Sequence, residues 1–212
     1  MKNLAIIVIG TNSSGKTTLV RGINKYFSEN IGSEETKVVE WKEIDPEKNI
    51  EKKCAYTILS KVSGNIGVLR DNTPTGGADT VSSRFQSRRS IEELIKVKPI
   101  VTLDPIMATR PYMYMLRDMV ETLYIIFLDI DEENNIERLK FRRSQKLGVD
   151  PDEIAITQKT KDNIASKRNN FRNLFNYTKD EANKSLKINT SGMSREKVLK
   201  KALKFIEKSI TS

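Results

Sequence analysis

The chain has 212 residues, 31% of them charged and 37% hydrophobic, a balance that suits one α/β domain with a sizeable core. No apolar run approaches the roughly 18 residues that span a bilayer, and the chain opens on a strand-like run and not a signal peptide; with a single Cys54 excluding an internal disulfide framework, the expected location is the reducing cytoplasm, with no membrane partner. The absence of histidine removes imidazole chemistry and leaves proton handling to carboxylates, while a net charge of +9 fits either polyanionic partners, nucleic acid above all, or a Lys-rich composition lining a nucleotide site.

The first element is an apolar, β-branched run from Leu4 to Ile9. It stops at Gly10, and Gly10 to Thr17 read G-x-x-x-x-G-K-T, followed at once by a helical pattern to about Asn30. Strand, Gly-rich turn and helix are the context that makes this spacing a Walker A phosphate-binding loop and not a chance cluster of glycines. Gly10 and Gly15 let the backbone fold back so that successive N–H groups face one concavity, at a helix N-terminus where the dipole favours an anion. Gly10, Asn12, Ser13, Ser14, Gly15, Lys16, Thr17 and Thr18 are therefore the candidate nucleotide-binding residues. Lys16 would reach the β- and γ-phosphates, and the Thr17 hydroxyl would ligate Mg²⁺.

Thr36 to Trp41 reads as a second strand, Asp45 to Lys53 as a polar stretch, and Cys54 to Val62 as a short helix by its apolar spacing. Asn65 to Arg70 fits another strand. Asp71 to Phe85, DNTPTGGADTVSSRF, is loaded with turn formers and small hydroxyls. A helix follows from about Ser82 to Lys96, with Phe85, Ile91, Leu94 and Ile95 as its apolar side and Arg84, Arg88 and Arg89 on other faces. Pro99 to Pro105 is a short buried strand ending in Asp104. A helix over Tyr112 to Thr122 precedes LYIIFLDI, Leu123 to Ile130, the most strand-like stretch after the first. Asp131 caps a helix to about Leu147. A helical region covers Asp152 to Glu181, Ser185 to Asn189 is a last strand, and Ser194 to Ile210 closes the chain as an amphipathic helix.

Buried strands alternating with helices predict an α/β three-layer sandwich with a mostly parallel, five-stranded sheet and a helical lid. The chain reads as a single domain over 1–212, with an acceptor-side segment at about 71–90 and a lid-like region at about 132–175. In such a sheet the strand ends share one edge with the phosphate loop, where ligands bind. Asp71, Asp104 and Asp129 would all reach that edge. Asp104 is the Walker B candidate, placed to hold Mg²⁺ or to orient the acceptor; an ordinary strand-end turn is the alternative. Asp129 competes with Asp131 for a capping role.

Two further clusters carry chemistry. Gly76 and Gly77 permit close approach of a ligand to the backbone, and Asp79 is a carboxylate in the same polar loop; Asp79 and Asp104 are the candidate pair for taking the proton of a hydroxyl acceptor. Asp79 serves equally as a helix cap. Arg84 and Arg88 are candidates for acceptor phosphates. From Arg138 to Lys146, RLKFRRSQK holds five cations and no acid, with Arg138 and Arg142 on one helix face. Either this is a solvated face, or these arginines stabilise charge during phosphoryl transfer. Lys167, Arg168 and Arg172 are open to both readings too.

GTNSSGKTT, the Asp104-ending strand and the arginine-bearing helix after the FLD strand together resemble the nucleoside and nucleotide kinase branch of P-loop proteins, over most of the chain. In that light Arg138 and Arg142 look like lid arginines that close over the transferring group, with ATP and Mg²⁺ as implied cofactors. The segment Thr75 to Phe85 is similar to the Gly-Gly-x-Asp segment of phage-type P-loop kinases, among them enzymes that phosphorylate 5-hydroxymethyluracil within DNA. The resemblance implies a hydroxyl acceptor, on a DNA base or on a free nucleotide or nucleoside, and the cytoplasm of a host cell as the setting. Where those relatives carry Glu-Gly after the Walker B strand, this chain has Asp104-Pro105. The Asp-Arg-Tyr motif of thymidylate kinases is missing, and an ATP-driven switch is the remaining alternative class.

Overall fold

The computed structural model describes residues 3–35, 37–45, 50–66, 69–70, 73–74, 84–105 and 108–210. In chain order the elements are β1 (Leu4–Gly10), α1 (Lys16–Ile31), β2 (Lys37–Asp45), β3 (Ile50–Ile58), β4 (Ser63–Ile66), β5 (Leu69–Arg70), β6 (Thr73–Pro74), α2 (Arg84–Val97), β7 (Ile100–Leu103), α3 (Arg110–Met119), β8 (Thr122–Asp129), α4 (Glu132–Leu147), a single 3-10 turn (Pro151–Glu153), α5 (Gln158–Thr178), β9 (Lys184–Asn189) and α6 (Arg195–Ile210).

Among the described residues the main sheet has seven strands in the order β2-β3-β4-β7-β1-β8-β9. The expected parallel core is present: β4, β7, β1, β8 and β9 run the same way. The strand count departs from the expected five, because β2 and β3 add an antiparallel hairpin beside β4. The region expected as a helix from Cys54 belongs mostly to β3. Cys54, Ile58 and Val62 do fall four apart, but nine register pairs with β2 hold the backbone extended. Ser60 then makes the turn into β4, its hydroxyl accepting from the amides of Val62 and Ser63. β4 accordingly starts earlier than expected and stops at Ile66.

Every residue of β1 is buried, which is what a strand covered on both faces requires. Leu4, Ile6 and Val8 pack against Leu19, Val20, Ile23 and Phe27 of α1 and Ala202 and Ile206 of α6. Ala5, Ile7 and Ile9 pack on the opposite side against Ile91 and Leu94 of α2, Leu116 of α3 and Phe171, Leu174 and Phe175 of α5. Two helical layers thus sandwich the sheet, and the second half of α5 is core. No helix among the described residues is long and apolar enough to cross a membrane.

The parallel strands bring the ends of β1, β7 and β8 to one edge. Asp131 caps α4 as expected, accepting from the Asn134 amide at 2.8 Å.

Candidate active site

The loop between β1 and α1 is shaped by its backbone. Gly10 has φ 151°, and a Cβ there would lie 2.7 Å from the Leu128 carbonyl oxygen of β8 and 2.8 Å from Ser14 Oγ. Only a residue without a side chain lets β1 lie this close to its neighbour as the loop departs. Ser13 takes φ 64°, a left-handed conformation unusual for a residue with a Cβ. Gly15, at φ 100° and ψ 14°, is the N-cap of α1, and no side chain caps that helix. The first turn of α1 also lacks an acidic residue. An uncapped helix start without a fixed negative charge presents its amides to an external anion.

Side chains complete that setting. Lys16 is 7% exposed and lies along the loop, its Nζ donating to the carbonyls of Gly10 at 2.9 Å and Thr11 at 3.1 Å. Ser13 Oγ and Ser14 Oγ are buried with no hydrogen-bond partner. Buried hydroxyls are rarely left unsatisfied, so these two mark a place for a polar ligand. The loop opens into a cavity of about 190 Å³ lined by Asn12, Ser13, Gly15, Lys16, Thr17, Thr18 and Arg142.

Asp104 follows directly on β7, which pairs with β1, and it is fully buried. The Thr17 hydroxyl donates to Asp104 Oδ2 at 2.6 Å. About two turns further along α1, Asn24 donates to Thr102 Oγ1 at 2.8 Å, so α1 and the end of β7 share two polar contacts along one seam. A hydroxyl and a carboxylate this close are both hard oxygen ligands, the donor type that Mg²⁺ takes. No group of three or more His, Cys, Asp or Glu able to hold a metal occurs among the described residues. The pair fits a cation that keeps several of its own waters.

Tyr112 of α3 lies near Asp104, with its hydroxyl 2.8 Å from Ser87 Oγ of α2. Burial, reinforced by the Asp104 carboxylate, pushes its phenol up to about 12. It stays protonated at neutral pH and cannot serve as a base there.

Asp129 ends β8 on the other side of β1. It accepts from Arg168 at 3.2 Å, from Arg172 at 2.9 Å and from Lys187 at 3.0 Å. Burial works against its charge, but the hydrogen bonds from Arg172, Lys187 and Arg168 outweigh it and hold the carboxyl below its ordinary range. This carboxylate anchors α5 and β9 to β8.

The root of α4 is tied to the loop between β1 and α1. Asn135, 2% exposed, donates to Thr11 Oγ1 at 2.6 Å. Arg138 donates through Nη1 to the Ser14 carbonyl at 3.3 Å and through Nη2 to the Thr190 carbonyl at 2.7 Å. Burial, with Arg195 nearby, lowers the pKa of its guanidinium. Arg142 lies one turn further out and faces the cavity over the loop. A second cavity of about 700 Å³ continues from it, walled by Leu19, Phe141, Met193, Val198 and Leu199 and rimmed by Glu137 and Gln145. It shares Ser13, Gly15, Thr18 and Arg142 with the smaller one.

The structure thus brings together Gly10 to Thr18, Asp104, Arg138 and Arg142. Arg88 is exposed and paired with Glu92 at 3.0 Å on the surface of α2. Arg84 opens α2. Gly76, Gly77 and Asp79 lie outside the described residues. Asn135, Phe141 and the turn from Thr190 to Met193 were not singled out from the sequence. The turn has a faint signal, small residues with Gly192 in a left-handed conformation directly after a strand; Asn135 has none, since an Asn inside a helix reads as solvent-facing.

No protein-family model matches the chain, and no curated protein matches it in sequence. Among solved structures, the chain is similar to an unliganded sugar kinase from Janibacter sp. HTCC2649, at 14% identity and a TM-score of 0.44, over 98% of this chain and 95% of that one. It is also similar to shikimate kinase from Acinetobacter baumannii in complex with shikimate, at 13% identity and a TM-score of 0.45, over 99% of this chain and 94% of that one.

Proposed function

We propose that this chain is an ATP- and Mg²⁺-dependent kinase that transfers the γ-phosphoryl group to a hydroxyl. The observation that carries this reading is the 2.6 Å contact between Thr17, at the start of the phosphate-loop helix, and the buried Asp104 across the strand boundary. The loop amides, Ser13, Ser14 and Lys16 would bind the polyphosphate. Thr17 and Asp104 would hold Mg²⁺, which neutralises phosphate charge when bound. Lys16 and Arg142, both lining the smaller cavity, would stabilise charge on the transferring group. The 700 Å³ cleft fits a nucleoside, with an apolar wall from Leu19, Phe141, Met193, Val198 and Leu199. Asp104 would also orient the acceptor hydroxyl and accept its proton, with Asp79 the second candidate for that proton.

For the acceptor, we favour a 5-hydroxymethyl pyrimidine within DNA. The net charge of +9 and the similarity of Thr75 to Phe85 to phage-type kinases support it. Gly76, Gly77, Arg84 and Arg88 are its proposed contacts. A soluble nucleoside or nucleoside monophosphate kinase is the alternative, favoured by the single-domain length. An acceptor screen with γ-labelled ATP separates them: hydroxymethyluracil DNA, plain DNA, nucleosides and monophosphates are compared. Label on modified DNA supports the first reading, label on a mononucleotide alone overturns it, and release of inorganic phosphate without an acceptor overturns both.

A further inference from the structure

One guanidinium touches both walls of the cleft. The near wall is the phosphate loop, where Ser14 offers its carbonyl to Arg138 Nη1 at 3.3 Å. The far wall is the turn from β9 into α6, where Thr190 offers its carbonyl to Nη2 at 2.7 Å. Thr190 is fully buried, and its amide donates to the Asp129 carbonyl at 2.7 Å, so this anchor is fixed to the sheet. The same Thr190 carbonyl accepts from the Met193 amide at 3.2 Å, and Met193, Ser194 and Val198 form the cleft wall beyond it. Asn135, one turn earlier on α4, reaches only the near wall, through Thr11.

Resting on the kinase reading above, the geometry points to Arg138 as a positioning residue that couples the nucleobase end of the cleft to the phosphate end. A planar fork holding two carbonyls fixes their separation, which a flexible ammonium cannot do. Any ligand part that seats the turn from Thr190 to Met193 thereby sets the Ser14 side of the loop, and the reverse. The two halves of a nucleoside triphosphate then favour each other's binding, a coupling free energy between two parts of one site. This assigns Arg138 a role distinct from Arg142, which lines both cavities.

The test is calorimetric binding of three probes in Mg²⁺ buffer: adenosine, inorganic tripolyphosphate and ATP. Arg138→Ala is expected to weaken ATP by about tenfold or more while each fragment alone loses less than about threefold, a change in coupling of about 1.4 kcal/mol per factor of ten. Asn135→Ala, which touches only the loop side, is expected to weaken tripolyphosphate and ATP by the same factor. If Arg138→Ala does not fold, Arg138→Lys keeps the charge without the fork and is expected to show the same ATP-selective loss. An equal loss on adenosine and ATP would mean direct contact with the base and overturns the coupling role. So does an equal loss on tripolyphosphate and ATP, or no loss on any probe. A wild-type chain that binds neither tripolyphosphate nor ATP overturns the kinase reading and this inference together; equal losses in a chain that binds both overturn this inference alone.

Discussion

The two strands flanking β1 each deliver an aspartate to the same edge of the sheet, and the two are put to different use. Asp104, after β7, is fully buried against the hydroxyl of Thr17, at the first turn of α1. Asp129, at the end of β8, is nearly as buried but sits among Arg168, Arg172 and Lys187. A carboxylate beside a hydroxyl puts two hard oxygens together, the donor type that Mg²⁺ takes. One met by three cations is neutralised, and its value is structural. The chemistry of a strand-end aspartate is decided by what the neighbouring elements bring to it.

The largest expected effect lies on the Asp104 side. Lys16→Ala should lower phosphoryl transfer by about 10³-fold or more, since it removes the buried cation of the phosphate cavity. Steady-state turnover of labelled ATP measures this, with circular dichroism showing a retained fold. Unchanged turnover would remove the Walker A assignment. Next come the two aspartates themselves. Asp104→Asn should cost about 10²-fold in turnover with little change in melting temperature. Asp129→Asn should do the opposite: turnover within about threefold of wild type and a stability loss of about 2 kcal/mol, discounted from the buried-pair range because its partners are partly exposed. Denaturant unfolding of both variants breaks the comparison if the effects are exchanged.

Acid gives a gentler contrast. Asp129 and Asp131 both have carboxyls below the ordinary range, Asp131 at about 2 through hydrogen bonds from Ser191 and Asn134. A lowered folded-state pKa means the unfolded state takes up protons first. Their stabilisation is complete above the ordinary carboxylate value of about 3.9 and fades as the pH falls through the lowered folded-state values, about 2 for Asp131. Urea titrations at pH 5, 4 and 3, on the order of one pH unit apart, should show falling stability in the wild type and a flatter profile in Asp129→Asn. The smallest effect is Asp131→Ala, which should cost about 1 kcal/mol through the lost cap of α4; thermal melting checks it, and turnover should follow only weakly.

The same contrast explains what the sequence could reveal. The strand, glycine turn and helix from β1 into α1 were legible because strand, glycines, lysine and threonine are contiguous from Leu4 to Thr17, so local backbone demands carry the signal. The Asp131 cap and the parallel core were legible for the same local reason. Asp129 was not, because its partners Arg168 and Arg172 lie 39 and 43 residues away and belong to another element. Arg138 was read as a lid arginine, and its bonds to the Ser14 and Thr190 carbonyls were not legible, since backbone carbonyls leave no mark on residue identity. β3 was misread because apolar spacing from Cys54 satisfies a helix, while the pairing that decides the matter lies in β2.

The most direct measurement of the central claim is calorimetric ATP binding, with and without Mg²⁺, to wild type, Asp104→Asn and Asp129→Asn. The wild type and Asp129→Asn should bind ATP more tightly when Mg²⁺ is present, and Asp104→Asn should lose that difference. A Mg²⁺ enhancement that survives in Asp104→Asn and disappears in Asp129→Asn would contradict the assignment of the metal-holding carboxylate, and with it the reading of this edge as a phosphoryl-donor site.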